Sequence, residues 1–199
     1  MATKVAQTKM ARRLGLAHTP KASKVLESRP NPPGQHGGRP SRRVSDYKLQ
    51  LVEKQRLRMQ YNLSEHQLRL YYKKANRKLG NTPDNLIQAL ETRLDAAVVR
   101  AGLSRTIYSA RQFVNHGHVK VNGKKVDIPS YGLKVNDVIE VKDKSKKLDV
   151  VVNAMENPTT PEYLELDTKK CTVTLLYVPK REEIPVVCEL PRVIEFYSK

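Results

Sequence analysis

The chain has 199 residues, with 37 Lys and Arg against 20 Asp and Glu, and a formal net charge of +17. The basic excess is +9 over residues 1–50, +5 over 51–100 and +5 over 101–150, whereas residues 151–199 carry −2. A clustered excess of this size indicates a polyanionic partner, above all nucleic acid, because a merely solvated surface carries charges of mixed sign.

The cysteine count and the apolar content limit the class of protein to which the chain can belong. Cys171 and Cys188 are too few for a disulfide framework or a metal cluster. No apolar run approaches the roughly 18 residues that cross a membrane, and no apolar signal segment opens the chain. The sequence therefore predicts a soluble intracellular protein without cofactors. The first 26 residues contain no acid, which leaves a transit peptide as an alternative.

The N-terminal segment, 1–44, is rich in proline, glycine and basic residues and has few apolar ones. This composition predicts an extended arm that becomes ordered only on its partner. Within it, PPGQHGG (32–38) combines stiffening prolines with glycines that permit a close approach to phosphate, although a flexible linker has the same composition. The candidates here are Gln35, His36, Arg39, Arg42 and Arg43.

Helical patterns follow. Residues 47–62 indicate a helix, and Ser64 with Gln67 has the spacing of a capping box that opens another, with an apolar stripe to Leu79 and a stop at Gly80. A third helix begins at the cap Thr82 and keeps one apolar face as far as Ala101. A fourth, short helix is predicted after the cap Ser104.

From His118 onward, apolar residues recur at every second position, which is the spacing of a β-strand. Asn122-Gly123 is a strong type I′ hairpin signal between Val119–Val121 and a return strand that carries Val126 and Ile128. Further strands are predicted at 138–141, 150–152, 171–178 and 193–196, the last of which could instead close onto the helices.

The segment 93–126 combines this hairpin with helices and is rich in side chains that donate hydrogen bonds. Basic, amide and hydroxyl groups of this kind bind phosphates, sugar hydroxyls and base edges. The alternative is a small α/β module with a charged exterior. The RNA-binding candidates are Arg93, Arg100, Ser104, Arg105, Arg111, Gln112, Asn115, His116, Lys120, Asn122, Lys124 and Lys125.

Enzymatic motifs are weak. Gly117, Gly123 and Lys124 have the wrong spacing for a phosphate-binding loop, and Lys125 replaces the hydroxyl residue that would hold magnesium. His116 and His118 lack a third ligand nearby, so they are interpreted as turn and strand residues rather than metal ligands.

The string from RLD (93–95) through HGHV, VNGK and IPSY closely resembles the RNA-binding module of the bacterial-type small-subunit ribosomal protein S-four family. The resemblance extends over nearly the whole chain from about Met10. Its other motifs are ARRLG (11–15), KASKVLESRP (21–30), PPGQHG (32–37), SDYKLQLVEKQRLR (45–58), YYKKA (71–75) and VIEFYSK (193–199). Because ARRLG matches, the basic start is interpreted as mature sequence.

The resemblance implies a primary binder of small-subunit rRNA at a helix junction of the five-prime domain, active early in assembly. It also implies contact with ribosomal protein S-five, an influence on decoding accuracy and, in some members, repression of translation of the protein's own message. Arg39, Arg42 and Arg43 are implied contacts of rRNA or incoming mRNA. The acidic tail, with Glu195, Phe196 and Tyr197, is an implied protein contact.

Two features depart from the family pattern. Many members bind zinc through cysteines in the arm, which has none here, so no zinc is expected and RNA is expected to hold the arm. Tyr163 replaces a common tryptophan and keeps an aromatic ring.

These observations predict an α+β protein with an extended basic arm (1–44), a helical domain (45–90), a helix-plus-hairpin RNA-binding module on a small antiparallel sheet (91–155), and an acidic tail that packs back on the body (156–199). The predicted role is structural, on a bacterial-type ribosome in the cytoplasm or in an organelle. The rivals are an RNA-modifying enzyme that uses the same module, and a translational repressor that acts off the ribosome.

Overall fold

A computed structural model describes residues 6–38, 44–156, 158 and 160–198. The helices are α1 (Gln7–Leu14), α2 (Pro20–Ser28), α3 (Asp46–Gln60), α4 (Glu65–Arg77), α5 (Thr82–Glu91), α6 (Leu94–Arg100), α7 (Ile107–Asn115), α8 (Asp149–Met155) and α9 (Leu190–Ser198). The strands are β1 (Val119–Val121), β2 (Lys124–Lys125), β3 (Val138–Val141), β4 (Leu164–Asp167) and β5 (Thr172–Leu175). Single 3₁₀ turns lie at Asp143–Ser145 and Arg181–Glu183.

The chain divides into two compact units. The first comprises Met1–Arg69 and Val186–Lys199, and the second comprises Leu70–Pro185. Helix α4 runs across the division. These boundaries differ from the predicted ones, because most of the predicted tail belongs to the second unit and contributes β4 and β5, while only its end joins the first.

In the first unit the N-terminal segment is helical, so the prediction of an extended arm was wrong for the described residues. Thr19 accepts a hydrogen bond from the amide of Ala22 at 3.1 Å and caps α2, which packs against α1. Arg12 donates to the carbonyl of Asn31 at 2.8 and 3.1 Å, which ties the end of the segment back to α1. Few apolar residues suffice here, because buried Ala11 on α1 and Ala22 on α2 are small enough for close helix packing.

Helix α9 packs against α3 in the same unit, so residues 193–196 form a helix and not the predicted strand. The Nζ of Lys54 lies 4.0 Å from the ring centroid of Phe196, a cation–π contact that closes the pair. Val193 is fully buried. The apolar residues of VIEF contact α3 at helical spacing. A short run of β-forming residues does not reveal in the sequence that α3 is its partner.

The helical middle follows the predictions with two exceptions. The capping box is confirmed, since Ser64 Oγ accepts from the amide of Gln67 at 3.2 Å and the Gln67 side chain accepts from the amide of Ser64 at 3.0 Å. Leu79 does not continue the apolar stripe and is 96% exposed, because α4 ends before it. The predicted third helix is broken at Arg93, whose extended backbone pairs with Gly132.

The second unit contains a five-stranded antiparallel sheet with the strand order β2-β1-β3-β5-β4, which confirms the α+β class. Its buried face, with Val119, Ile139 and Val173, shares one core with α6 and α7. The hairpin is confirmed: Asn122 and Gly123 have φ values of 49° and 76°, as a type I′ turn requires.

Other strand predictions were wrong or too long. Residues 150–152 belong to helix α8, where Val151 is buried while Val150 and Val152 are exposed. The return strand comprises only Lys124–Lys125, and Ile128 beyond it is 56% exposed. Three consecutive valines fit a strand by composition, whereas the burial of Val151 and Ala154, three residues apart, is the spacing of a helix.

Over the described residues, no helix is long and apolar enough to cross a membrane. Within the same ranges, no group of three or more His, Cys, Asp or Glu side chains could hold a metal ion. The expectation that the protein binds no zinc stays a prediction.

Candidate nucleic-acid interface

Helix α7 supplies one side of the candidate interface. Its N-cap is Thr106, whose hydroxyl accepts from the amide of Ser109 at 3.2 Å, and not Ser104 as predicted. Ala110, Phe113 and Val114 are buried against the sheet. The helical period therefore turns four predicted RNA-binding residues away from the core, where three are exposed and one is half-buried. They are Arg111, Gln112, Asn115 and His116.

The β1–β2 hairpin supplies the other side. Lys120 lies opposite Lys125 in the antiparallel register, so their side chains are on the same face. Lys125 passes over the backbone of Gly117 at the end of α7, where an added Cβ would lie 2.4 Å from its Cε. Lys124 and Lys125 are exposed, and Lys120 is half-buried. The helix end and the hairpin thus form one continuous surface of amide and ammonium donors.

His118 joins this surface to the sheet. Its ring stacks on Phe113 with centroids 4.9 Å apart, and its Nδ1 lies 2.8 Å from the Ser145 hydroxyl. Burial, followed by the charges of His116 and Lys142, lowers the pKa of His118. The stacking on Phe113 and the contact with Ser145 make the ring a support for its neighbours.

Asn122 holds the hairpin in register. Its side-chain nitrogen donates to Asp137 at 2.8 Å, and its side-chain oxygen accepts from the amide of Val138 at 2.9 Å. These bonds join the turn to the start of β3. These bonds position Lys124 and Lys125, and because Asn122 is itself exposed, its contact with RNA stays a prediction.

Arg93 is not available to RNA in this fold. It is 1% exposed and donates to both carboxylate oxygens of Asp95, at 2.9 and 2.5 Å, and to the Tyr71 hydroxyl at 2.9 Å. Asp95 is itself fully buried. The guanidinium therefore neutralises a buried carboxylate at the start of α6, and we withdraw Arg93 from the interface.

Arg100 and Ser104 are likewise used by the fold. Arg100 pairs with the buried carboxylate of Glu91, which also accepts from the Tyr163 hydroxyl at 2.8 Å. Burial and the neighbouring Glu91 raise the pKa of Tyr163. Ser104 is 2% exposed. Sequence alone could not separate these internal donors from external ones, because the burial of Ser104 and the pairing of Arg100 with the buried Glu91 arise only when the chain folds.

Arg105 remains exposed at the foot of α7. Its guanidinium donates to the carbonyl of Asn153 at 2.8 and 3.1 Å and lies 3.5 Å from Glu156. The side chain is 58% exposed, so these contacts leave part of its donor edge open to a ligand.

The N-terminal candidates belong to the first unit. Gln35 and His36 are exposed in a turn over 35–38. Arg39, Arg42 and Arg43 lie outside the described residues.

The predicted protein-contact residues are largely occupied within the first unit. Tyr197 donates to Glu65 at 2.8 Å, Phe196 stacks on Lys54, and Glu195, although exposed, accepts from Gln50 at 2.9 Å. Burial and the bond to Glu65 raise the pKa of Tyr197. Phe196 and Tyr197 therefore hold α9 against α3 within the first unit.

One contributor was missed. Lys142 follows β3, and its amide donates to the carbonyl of His118 at 2.9 Å, which places it beside the α7 end of the surface. The basic run KDKSKK (142–147) was the available signal, but only the strand register shows where it lies.

Known proteins match both units. Residues 3–91 match the family described as ribosomal protein S4/S9 N-terminal domain, and residues 92–139 match the S4 domain. Among curated relatives, small ribosomal subunit protein uS4 of Streptomyces coelicolor is 46% identical over 198 residues, covering 97% of each chain. The protein of that name from Micrococcus luteus is 47% identical over 195 residues, covering 95% of this chain and 94% of the relative. That of Thermobifida fusca is 43% identical over 197 residues, covering 97% of each.

Proposed function

The chain belongs to the small ribosomal subunit protein uS4 family, and on that premise we propose that it is a structural rRNA-binding component of the small ribosomal subunit that acts without turnover. The observation that carries the proposal is the continuous donor surface formed by the end of α7 and the β1–β2 hairpin, within the matched S4 domain. Its mode of action is binding and not chemistry.

The surface suits RNA through two kinds of contact. Lys120, Lys124 and Lys125 act as point charges for phosphates and release counterions when they bind. Gln112 and Asn115 can donate to sugar hydroxyls or to the edges of unpaired bases. Because both groups stand on a helix and a hairpin packed on one core, binding needs little ordering of the surface.

The finer assignment is a primary binder of the five-prime domain of the small-subunit rRNA that helps to nucleate assembly. Support comes from the resemblance of motifs along nearly the whole chain and from a net charge of +17 on 199 residues, which favours early association with bare RNA.

Contacts beyond rRNA belong to the same proposal. The C-terminal helix α9 carries Glu195 on its exposed side, which is compatible with a basic neighbouring protein such as ribosomal protein S-five, and this contact would affect decoding accuracy. Arg39, Arg42 and Arg43 are proposed to contact rRNA or incoming mRNA, on the strength of the motif they follow. Repression of the protein's own message and a cytoplasmic ribosome complete the proposal.

The test is co-sedimentation in cells. A tagged copy of the full chain should migrate with small subunits and with early assembly particles in a sucrose gradient, and should stay bound after a moderate salt wash. Migration only in the unassembled fraction, at normal expression, would contradict the proposal. RNA-modifying activity of the purified chain would favour the rival enzymatic reading.

A further inference from the structure

A second set of lysines meets at one end of the sheet, outside the matched S4 domain. In the register, Val119 on β1 lies opposite Val141 on β3, and Glu140 lies opposite Thr172 on β5. The residues that precede β1, follow β3 and precede β5 therefore lie at the same end of the sheet. The amide of Val141 donates to the carbonyl of Cys171 at 3.2 Å, and this bond joins β3 to the start of β5 at that end.

Two basic segments separated by more than twenty residues are joined in this way. We name them together the sheet-end cluster, which consists of Lys142, Lys144, Lys147, Lys169 and Lys170. Four of its members are exposed, and Lys142 is half-buried beside His118. Among the residues that the structure describes, none of the five forms an ion pair through its ammonium group.

Glu140 lies near the cluster at the end of β3, and two other acidic groups beside the cluster are engaged by its loops. Asp143 pairs with Lys146 at 2.6 Å, and its pKa is lowered, first by that hydrogen bond. Asp167 accepts from the amides of Lys169 and Lys170 at 2.9 and 3.1 Å. The carboxylates thus shape the two loops, and the cluster keeps an excess of positive charge that faces outward.

Both loops are fixed in place. The 3₁₀ turn after β3 is anchored by the hydrogen bond between Ser145 and His118. The β4–β5 turn is held by Asp167 and by Cys171, which adopts a φ of 54° and places its Sγ 3.6 Å from the carbonyl of Thr168. A charged surface on fixed loops binds with a smaller loss of conformational freedom than one on a mobile tail.

We propose that the sheet-end cluster binds phosphate groups of an RNA helix and extends the RNA-binding surface beyond residues 92–139. The inference rests on the proposed function. The cluster continues the α7 surface, because the rings of His116 and His118 lie 6.0 Å apart and Lys142 adjoins His118. From Lys125 on β2 to the start of β5 there are three strand intervals, roughly 14 Å, which is long enough to face several successive phosphates.

The chemistry of the cluster selects the backbone of a helix over other ligands. Single-stranded RNA is normally held by aromatic rings that stack on bases, and residues 142–149 and 168–171 contain none. Lysines alone read charge and shape but no bases. The contact is therefore independent of sequence and positions a neighbouring helix while the α7 and hairpin donors engage the primary site.

The test compares two variants of the full chain with the wild type. The first carries Lys144→Gln, Lys147→Gln, Lys169→Gln and Lys170→Gln, and the matched control carries Arg at the same four positions. Binding to a five-prime-domain rRNA fragment and to an unrelated RNA of equal length is measured across a salt series. Thermal unfolding checks the fold, and the smaller variant Lys169→Gln/Lys170→Gln replaces the first if that one does not fold.

We expect the Gln variant to lose about 0.7–0.9 of log–log salt slope for each phosphate contact removed, and on the order of tenfold in affinity near 0.15 M salt if two are removed. The Arg control should keep the wild-type slope. An unchanged slope in the Gln variant overturns the inference and would leave the cluster to a partner other than RNA. The preference of the wild type for the rRNA fragment over the unrelated RNA tests the proposed function separately. If the wild type binds both RNAs equally but the Gln variant still shows a reduced slope, the proposed function fails and the inference about the cluster stands.

Discussion

At the scale of single residues, Arg93 shows how one position can carry an RNA-like signature and serve the fold. Its guanidinium fits the Asp95 carboxylate in a two-pronged pair at 1% exposure, with Tyr71 as a third partner. Substitution of Arg93→Met leaves Asp95 buried and unpaired, and we expect a loss of about 3–5 kcal/mol in the free energy of unfolding, measured by urea denaturation.

The control for this prediction is the double variant Arg93→Met/Asp95→Leu. Because it removes both charges, it should recover much of the lost stability. A single variant that unfolds like the wild type and binds rRNA more weakly would return Arg93 to the interface.

The contacts of Glu65 predict a specific pH dependence of the free energy of unfolding. Burial opposes ionisation of its carboxyl, but hydrogen bonds from Lys54 and Tyr197, with the charges of Lys54 and Arg58, outweigh it and lower the pKa of Glu65. A lowered carboxyl pKa contributes stability that is complete above the ordinary value of 4.5 and is lost as pH falls through the folded-state value.

Substitution of Glu65→Gln should therefore reduce the difference in unfolding free energy between pH 7 and pH 3, as followed by chemical denaturation in a pH series. Glu189, on a different part of the first unit, is 62% exposed at its side chain and pairs with Arg192 on the surface, and Glu189→Gln serves as the matched control for the loss of an exposed carboxylate. Identical pH dependence in Glu65→Gln and the wild type would contradict the account.

At the scale of elements, the hairpin depends on Asn122 for both backbone conformation and register. Asn122→Gly tolerates the φ of 49° and loses the bonds to Asp137 and Val138, so we expect a cost of about 1 kcal/mol in stability. Asn122→Ala loses the same bonds and also strains the left-handed conformation, for a total of about 2 kcal/mol.

Both costs are measured by thermal or chemical unfolding, with rRNA affinity as the second readout. Affinity should fall in the same order as stability, because the turn positions Lys124 and Lys125. Equal stability of the Gly and Ala variants would show that the turn conformation is not strained as described.

Helices α1 and α2 give a second test among elements. Their capping by Thr19 and the bonds from Arg12 to Asn31 and from Arg56 to Leu14 require no RNA. Amide hydrogen exchange of the free protein should show slowed exchange within Gln7–Leu14 and Pro20–Ser28. Exchange at the rate of an unstructured chain would restore the earlier expectation that RNA orders this segment.

At the scale of the molecule, patterns that depend on neighbours in sequence were predictable from the chain alone. The Ser64 capping box and the Asn122-Gly123 turn are local chemistry, and both occur as expected. The failures depend on contacts that only the fold creates: α9 is a helix packed against α3, and Arg93 is internal because Tyr71, 22 residues earlier, joins the nearby Asp95 in enclosing it. Lys142 was missed because a strand register, and not a spacing, brings it to the site.

The most direct test of the account compares the binding of the purified chain to a five-prime-domain rRNA fragment and to an unrelated RNA of equal length, across a salt series. The account predicts tight, selective binding whose logarithm falls by roughly 0.7–0.9 per phosphate contact on a log–log plot, with a shallower slope for Lys120→Gln/Lys124→Gln/Lys125→Gln. Equal affinity for the two RNAs would contradict the rRNA assignment, since it would leave only a general attraction between a cationic protein and a polyanion.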